Sequence, residues 1–172
     1  MKSLLKELSV SDGYEIYEML KEIGPGENGY ENDGYALEFA DFTAYLKGHS
    51  DASEGIGLKP EWVPQTVYWL FIDDRPVGVG KLRHSLTERL RKRGGHIGYC
   101  IRPSERGKGY GEIILGELLL KAREKNISEV ILTCNEDNAF SRRVIEANEG
   151  VLSEILDGRC YYLVCQRTVR NH

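Results

Sequence analysis

Residues 102–111 read RPSERGKGYG, with Gly107, Gly109 and Gly111 alternating with larger residues. The stretch lies between the apolar run from Ile97 to Ile101 and the helix-like string EIILGELLLKAREK. A strand that feeds a helix through such a loop leaves several N–H groups unpaired at the positive end of the helix, a ready site for phosphate. Glycine lets the main chain approach an anion with no Cβ in the way; the same spacing also suits a merely tight strand-to-helix turn. The loop is neither of two better-known phosphate binders. The string GxxxxGK followed by Ser or Thr does not occur, and Glu112 breaks a GxGxxG reading that begins at Gly107. Other residues able to do chemistry stand nearby in sequence: His84 and His96, which titrate near neutrality, and Cys134, Asn138, Ser141, Tyr161 and Tyr162.

The elements that must position these groups follow from pattern. LLKEL at 4–8 reads as a first strand, and Ser11-Asp12 as the cap of a helix with Ile16, Met19, Leu20 and Ile23 at helical spacing, stopped by Gly24-Pro25. From 24 to 64 the text is rich in Gly, Asn, Asp and Tyr, with one amphipathic stretch at Phe39, Phe42 and Leu46; this irregular part is where substrate specificity is expected. VYWLFI at 67–72 and VGVGKLR at 77–83 form a hairpin about the turn 73–76. HSLTERLRKRGG at 84–95 reads as a surface loop, its basic cluster Arg89, Arg91, Lys92 and Arg93 solvated. The strand HIGYCI precedes the glycine loop. After it, Ile114, Leu115, Leu118, Leu119 and Ala122 recur with period 3.6 and Asn126 ends the helix. VILTC is a short buried strand, Asp137 or Asn138 caps the helix AFSRRVIEA, and VLSEIL and RCYYLVCQ form a second hairpin on Asp157-Gly158. The expectation is an α+β fold with a mixed, mostly antiparallel sheet.

Composition narrows the function. At 172 residues the chain suits one domain. The net charge of −4 argues against a general nucleic-acid binder and for a small ligand. Cys100, Cys134, Cys160 and Cys165 show no zinc-like spacing and read as reduced core thiols, so no metal is expected. No apolar run approaches the roughly 20 residues needed to cross a bilayer, and a cytoplasmic, membrane-free protein is expected.

The pattern Arg/Gln-x-x-Gly-x-Gly/Ala is present as Arg106, Gly109 and Gly111, preceded by IRP. Here the sequence resembles the GCN5-related N-acetyltransferase (GNAT) superfamily. The resemblance covers about residues 67 to 165, with NEDNAFSRRVIEANEG similar to the second signature of that family. It implies one acetyltransferase domain over 1–172, in which 1–66 forms the substrate side and 67–165 the acetyl-CoA-binding core, with strands splayed at that site. The main-chain amides of Arg106, Gly107, Lys108, Gly109, Tyr110 and Gly111 would hold the pyrophosphate. The stretch Tyr99, Cys100 and Ile101 would pair with the pantetheine arm and polarise the acetyl carbonyl, and Asn138, with Ser141 one turn into the helix, would reach the cofactor or simply cap and face solvent.

The resemblance further implies direct attack by an amine on the thioester. His96 lies close to where relatives place a base, though it also reads as a surface histidine beside Gly94-Gly95; His84 is a second candidate. The usual acid of the family, a tyrosine, is replaced by Ile145, leaving Cys134, Tyr161 and Tyr162 as substitutes, each also a packing residue. Arg142 and Arg143 could meet CoA phosphates or solvent. The expected acceptor is a small amine. Alternatives are a CoA-binding module without catalysis and a protein acetyltransferase with an acidic groove from Glu27, Glu31, Asp33, Glu38 and Asp41. The terminal hairpin leaves a homodimer open.

Overall fold

The computed structural model describes residues 1–27 and 30–167. The chain runs β1 (Ser3–Glu7), α1 (Tyr14–Ile23), α2 (Phe42–Ser53), β2 (Gln65–Ile72), β3 (Arg75–Arg83), α3 (Glu88–Lys92) and β4 (Ile97–Ile101), then α4 (Tyr110–Glu124), β5 (Glu129–Asn135), α5 (Ala139–Ala147), β6 (Val151–Leu156) and β7 (Arg159–Cys165). β1 to β4 form an antiparallel sheet in sequential order, and β5-β7-β6 form a second antiparallel sheet. The α+β expectation therefore holds.

The run VYWLFI is apolar throughout because β2 is covered on both faces. Tyr68, Leu70 and Ile72 pack with Ile114, Leu115 and Leu118 of α4, whereas Val67 and Trp69 pack with Ile16, Met19 and Leu20 of α1 and Leu46 of α2. The periodic stripe of α4 is wholly buried, and each large side chain in it contributes roughly 1.5–3 kcal/mol by leaving water. Gly80 of β3 allows this approach, since a Cβ there would lie 2.6 Å from Leu118.

Three local readings are corrected. Asp12 does not cap α1. Its carboxylate accepts hydrogen bonds from Ser9 N and from the indole Nε1 of Trp69, both at 2.7 Å, and Gly13 takes the cap position. The segment 84–95 contains a short helix, α3, whose first turn is closed by Leu90 N donating to Thr87 Oγ1 at 3.3 Å. Cys165 is exposed, while Cys100, Cys134 and Cys160 are buried thiols.

Among the described residues, one pair joins the strands of the two sheets by hydrogen bonds. His96 N donates to Ile131 O at 2.9 Å, and Ile131 N donates back to the ring Nδ1 of His96 at 3.0 Å. A side chain thus replaces the carbonyl that a continuing ladder would offer. Tyr99 then lies beside Cys134, so β4 and β5 run in the same direction, as the α4 crossover requires. Gly95 makes the junction possible: its φ is +65°, and a Cβ there would collide with the Ile131 carbonyl oxygen. His96 is 7% exposed, which overturns the surface reading.

Gly95→Ala should therefore lower stability by about 2 kcal/mol through strain at the junction; an unchanged urea midpoint would remove this role. Burial, and then Arg91 and Arg83, pull the pKa of His96 down to about 4 from 6.5. The fold favours the neutral ring, and below pH 6.5 the unfolded chain takes up a proton that the folded chain refuses. Stability contributed by neutral His96 is complete above that value and is lost as pH falls toward 4. The urea midpoint should drop across this window, and less steeply in His96→Gln; parallel profiles would contradict the assignment.

Candidate active site

β4 ends at Ile101 and the chain turns through Pro103–Glu105 into the glycine loop. Gly107 and Gly109 have φ of +78° and +82°, the left-handed region, with Gly109 as the N-cap of α4. Among the described residues, no backbone or side-chain group accepts a hydrogen bond from the amides of Gly107, Lys108 or Gly109. A Cβ at Gly107 or Gly109 would meet nothing within 4 Å, so these glycines serve the backbone conformation and leave the outer side of the turn open. Gly111 differs: a Cβ there would lie 3.4 Å from the Phe140 ring and 3.6 Å from Val144. It brings the starts of α4 and α5 together.

The charged side chains of the loop are turned away from those amides. Arg106 donates from Nε to Ile101 O at 3.0 Å and pairs with Glu27 at 2.8 Å, which straps the loop to β4. Lys108 pairs with Glu105 at 2.8 Å, and that carboxylate also pairs with Arg75 at 2.9 Å. Tyr110 packs against the core. Attraction for an anion comes from oriented main-chain dipoles at the start of α4.

The register of β3 and β4 shows which main-chain groups of β4 are not bonded to β3. Arg102 N donates to Val77 O at 2.8 Å and Arg83 N to His96 O at 2.7 Å, so with Gly80 opposite Tyr99 the hydrogen-bonded pairs fall at even positions of β4. Tyr99 and Ile101 therefore point their N–H and C=O groups away from β3, toward the side where β5 has diverged. Cys100 bonds within the sheet, and its thiol, raised in pKa by burial, lies on the opposite face with Tyr17 and Val79.

α5 begins with the Asn138 side chain accepting from Ser141 N at 3.1 Å, so the cap reading of Asn138 holds in the described structure. Ser141 follows in the first turn, half-buried. Ile145 is buried at 3% exposure in the core. Tyr162 is committed: its hydroxyl donates to Glu146 Oε1 at 2.7 Å and accepts from Arg142 Nε at 3.1 Å. Tyr161 donates to Lys92 O at 2.6 Å, away from Tyr99. Cys134 is pushed up to about 11 by burial and by its cross-strand neighbour Cys160, which suits a packed thiol. His84 shares a hydrogen bond at 2.7 Å between its Nε2 and Thr66 Oγ1. His96 uses Nδ1 as an acceptor, which leaves Nε2 as an N–H donor with no lone pair for a proton. Among the described residues, no cluster of His, Cys, Asp and Glu could hold a metal, and no helix is long and apolar enough to cross a membrane.

The structure adds one group that the sequence reading missed, the phenol of Tyr99, whose oxygen is buried with no hydrogen-bond partner among the described residues. Strand alternation, with Ile97, Tyr99 and Ile101 on one face, was the signal that could have shown it.

On the opposite face the segment before α2 closes over β4. The Tyr30 ring lies 3.4 Å from where a Cβ of Gly98 would stand, and Lys81 Nζ sits 5.0 Å from that ring's centre while donating to Glu31 O at 3.0 Å. Asp33 pairs with His49 at 2.9 Å. Part of the acidic set expected to form a groove is thus engaged in internal pairs.

Comparison with known proteins supports this architecture. Among curated proteins no sequence matches significantly. Solved structures match over nearly the whole chain. A ribosomal L7/L12 alpha-N-protein acetyltransferase in complex with coenzyme A has a TM-score of 0.69 at 17% identity, covering 96% of this chain and 95% of that one. A ribosomal-protein-S5-alanine acetyltransferase from Vibrio fischeri has 0.69 at 12% identity, over 96% and 94%. The N-acetyltransferase PseH of Campylobacter jejuni, in complex with acetyl coenzyme A, has 0.63 at 14% identity, over 96% and 100%. At these identities the likeness is one of fold. The family model for the acetyltransferase (GNAT) family matches residues 32–150, a span that includes the glycine loop, the free edge of β4 and the capped start of α5, and the chain belongs to that family.

Proposed function

We propose that the protein is an acetyl-CoA-dependent N-acetyltransferase acting on a small-molecule amine. The observation that carries the reading is the set of main-chain groups without a partner among the described residues: the N–H and C=O of Tyr99 and the N–H of Ile101 on β4, and the amides of Gly107, Lys108 and Gly109 before α4. Acetyl-CoA fits these residues. The loop amides and the start of α4 would hold its diphosphate, the edge of β4 would hydrogen-bond its amide-bearing arm, and the bound molecule supplies an activated acetyl thioester. The Tyr99 and Ile101 amides are donors placed for charge developing on a carbonyl oxygen. Asn138 and Ser141, at the start of α5, would meet the same end of the bound molecule.

A small acceptor is favoured over a peptide because Tyr30 lies against Gly98 and Glu27 pairs with Arg106, two contacts that would narrow the acceptor side. Solved structures of similar fold include both protein and small-molecule acetyltransferases, so the fold alone does not choose. His96 and His84 each use a ring nitrogen within the fold, and in this reading the amine loses its proton to water. The second reading, a CoA-binding module without turnover, draws on the engagement of His96 and His84 within the fold and on Ile145. Release of free CoA thiol over a panel of amines separates the two; tight acetyl-CoA binding with no turnover on any amine would favour the module.

Gly109→Val places a branched side chain over the loop amides while costing the fold about 1–2 kcal/mol of left-handed strain. It should abolish acetyl-CoA binding by calorimetry with the circular dichroism spectrum retained. Binding within about twofold of wild type would overturn the assignment of the loop.

A further inference from the structure

The two faces of the second sheet are covered unequally. Leu132, Cys134, Cys160 and Tyr162 pack in the core with Val144 and Ile145 of α5. Side chains alternate along a strand, so Thr133 of β5 and Arg159 and Tyr161 of β7 lie on the other face. Among the described residues, none from β5, β6 or β7 belongs to the apolar cluster under α1 and α2, and that face stays partly open. Arg83 reaches it from β3. Its Nη1 donates to Gly95 O at 2.9 Å and would lie 3.2 Å from a Cβ on Gly94. Gly94 N donates to Thr133 Oγ1 at 3.3 Å, and the same oxygen accepts from Arg159 Nη1 at 3.2 Å. Two guanidinium groups thus flank Gly94 and Thr133, where β4 leaves β5.

Neither group has a carboxylate partner among the described residues. Arg159 bonds the neutral oxygens of Thr133 and Asn135, both at 3.2 Å. Lys81, on the same face of β3 as Arg83, differs in having Asp33 at 4.0 Å. Arg83 is half-buried; burial pulls its pKa below the usual value, and the charge of Glu31 offsets this only in part. A cation taken from water without a bonded anion is costly, and an anion binding there removes that cost. The helix α3 adds charge of the same sign, since Tyr161 donates to Lys92 O at 2.6 Å and Arg91 stands near enough to His96 to lower its pKa. The place is also right for an acceptor. The five steps from His96 to Ile101 put about 17 Å of strand between this junction and the end that enters the glycine loop. A molecule held at its diphosphate by that loop and running along β4 brings its acyl end toward the junction.

We propose that Arg83 and Arg159 bind a carboxylate on the acceptor, so that the substrate class is amines that also carry a carboxylate, amino acids among them. The proposal rests on the acetyl-CoA reading given above. A guanidinium matches the two oxygens of a carboxylate with parallel N–H donors. Of five donors each, Arg83 uses one on a side chain or carbonyl of the described residues and Arg159 uses two, so both have donors to spare. With a net charge of −4 the chain as a whole repels anions, and the attraction comes from this local pair.

The test uses matched acceptors, α-amino acids and short ω-amino acids each beside its carboxamide, with aminoalkyl phosphonates as a further arm. Release of free CoA thiol is followed for wild type and for Arg83→Gln, which keeps a donor for Gly95 O but carries no charge. Wild type should favour acid over amide by about 10- to 100-fold in kcat/KM, and the variant should bring that ratio to within about threefold of one, through KM. Calorimetry should show acetyl-CoA binding alike in both proteins, within about twofold. A wild type that prefers the amides or uses none of the acids, or a variant that keeps the ratio, would overturn the carboxylate site. Phosphonates that outrun every acid would overturn the choice of carboxylate. Arg159→Gln, whose side chain bonds only side chains of β5, is read in the same way should Arg83→Gln fold poorly. A wild type that does not bind acetyl-CoA would instead overturn the reading beneath this one, and calorimetry shows that before any acceptor is tried.

Discussion

The ladder between β4 and β5 stops after one exchange, at His96 and Ile131, and the rest of the molecule is organised around that interruption. Inside a sheet, main-chain N–H and C=O groups are almost always paired, because burying them unpaired is costly. Here the strands begin as parallel neighbours and then separate, leaving the Tyr99 and Ile101 edge of β4 without its expected partner. The imidazole holds the last bond in place of a carbonyl. Gly95 admits the close contact, and the α4–α5 contact at Gly111 and Phe140 sits at the far end. The separation of β4 from β5 is therefore a defined feature of the packing.

Electrostatics follow the same logic of local dipoles. The chain is acidic overall, and the loop that reads as anion-binding contains Arg106 and Lys108. Both cations are paired with carboxylates, and Arg106 also donates to the end of β4. Their work is to fix the shape of the loop. What remains to meet an anion is a row of amides at the start of a 15-residue helix, a distribution of partial charge that does not depend on net charge.

The N-terminal third closes the other side of the same strand. Glu22 of α1 accepts from Arg102 Nε at 2.7 Å and from Ser104 Oγ at 3.0 Å, so the helix is bound to the residues that lead into the glycine loop. Asn32 ties its own segment to α1 by donating to Leu20 O and Gly24 O. These contacts join the candidate acceptor side to the candidate cofactor side through side chains far apart in sequence, so the two sides are held in register by the fold itself.

Much of this was legible in the sequence because it rests on local physics. The period of α4, the β-rich runs of β2 and β7, the Asp157-Gly158 hairpin and the Asn138 cap are each set by residues within one element or turn. The glycine loop was visible for the same reason, since left-handed backbone and bare amides are properties of a short segment. Only the tertiary structure decided which side chains serve the fold and which face the gap. His96 read as a base or a surface residue, yet its ring nitrogen is an acceptor for a strand 35 residues away. Asp12 read as a cap and bonds Trp69 instead. Tyr162 read as a substitute acid or a packing residue and is held by Arg142 and Glu146. Tyr99 read as main chain alone and carries the unpartnered phenol. In each case the deciding partner comes from another element, and partners of that kind are fixed by how the sheets and helices pack and not by spacing along the chain.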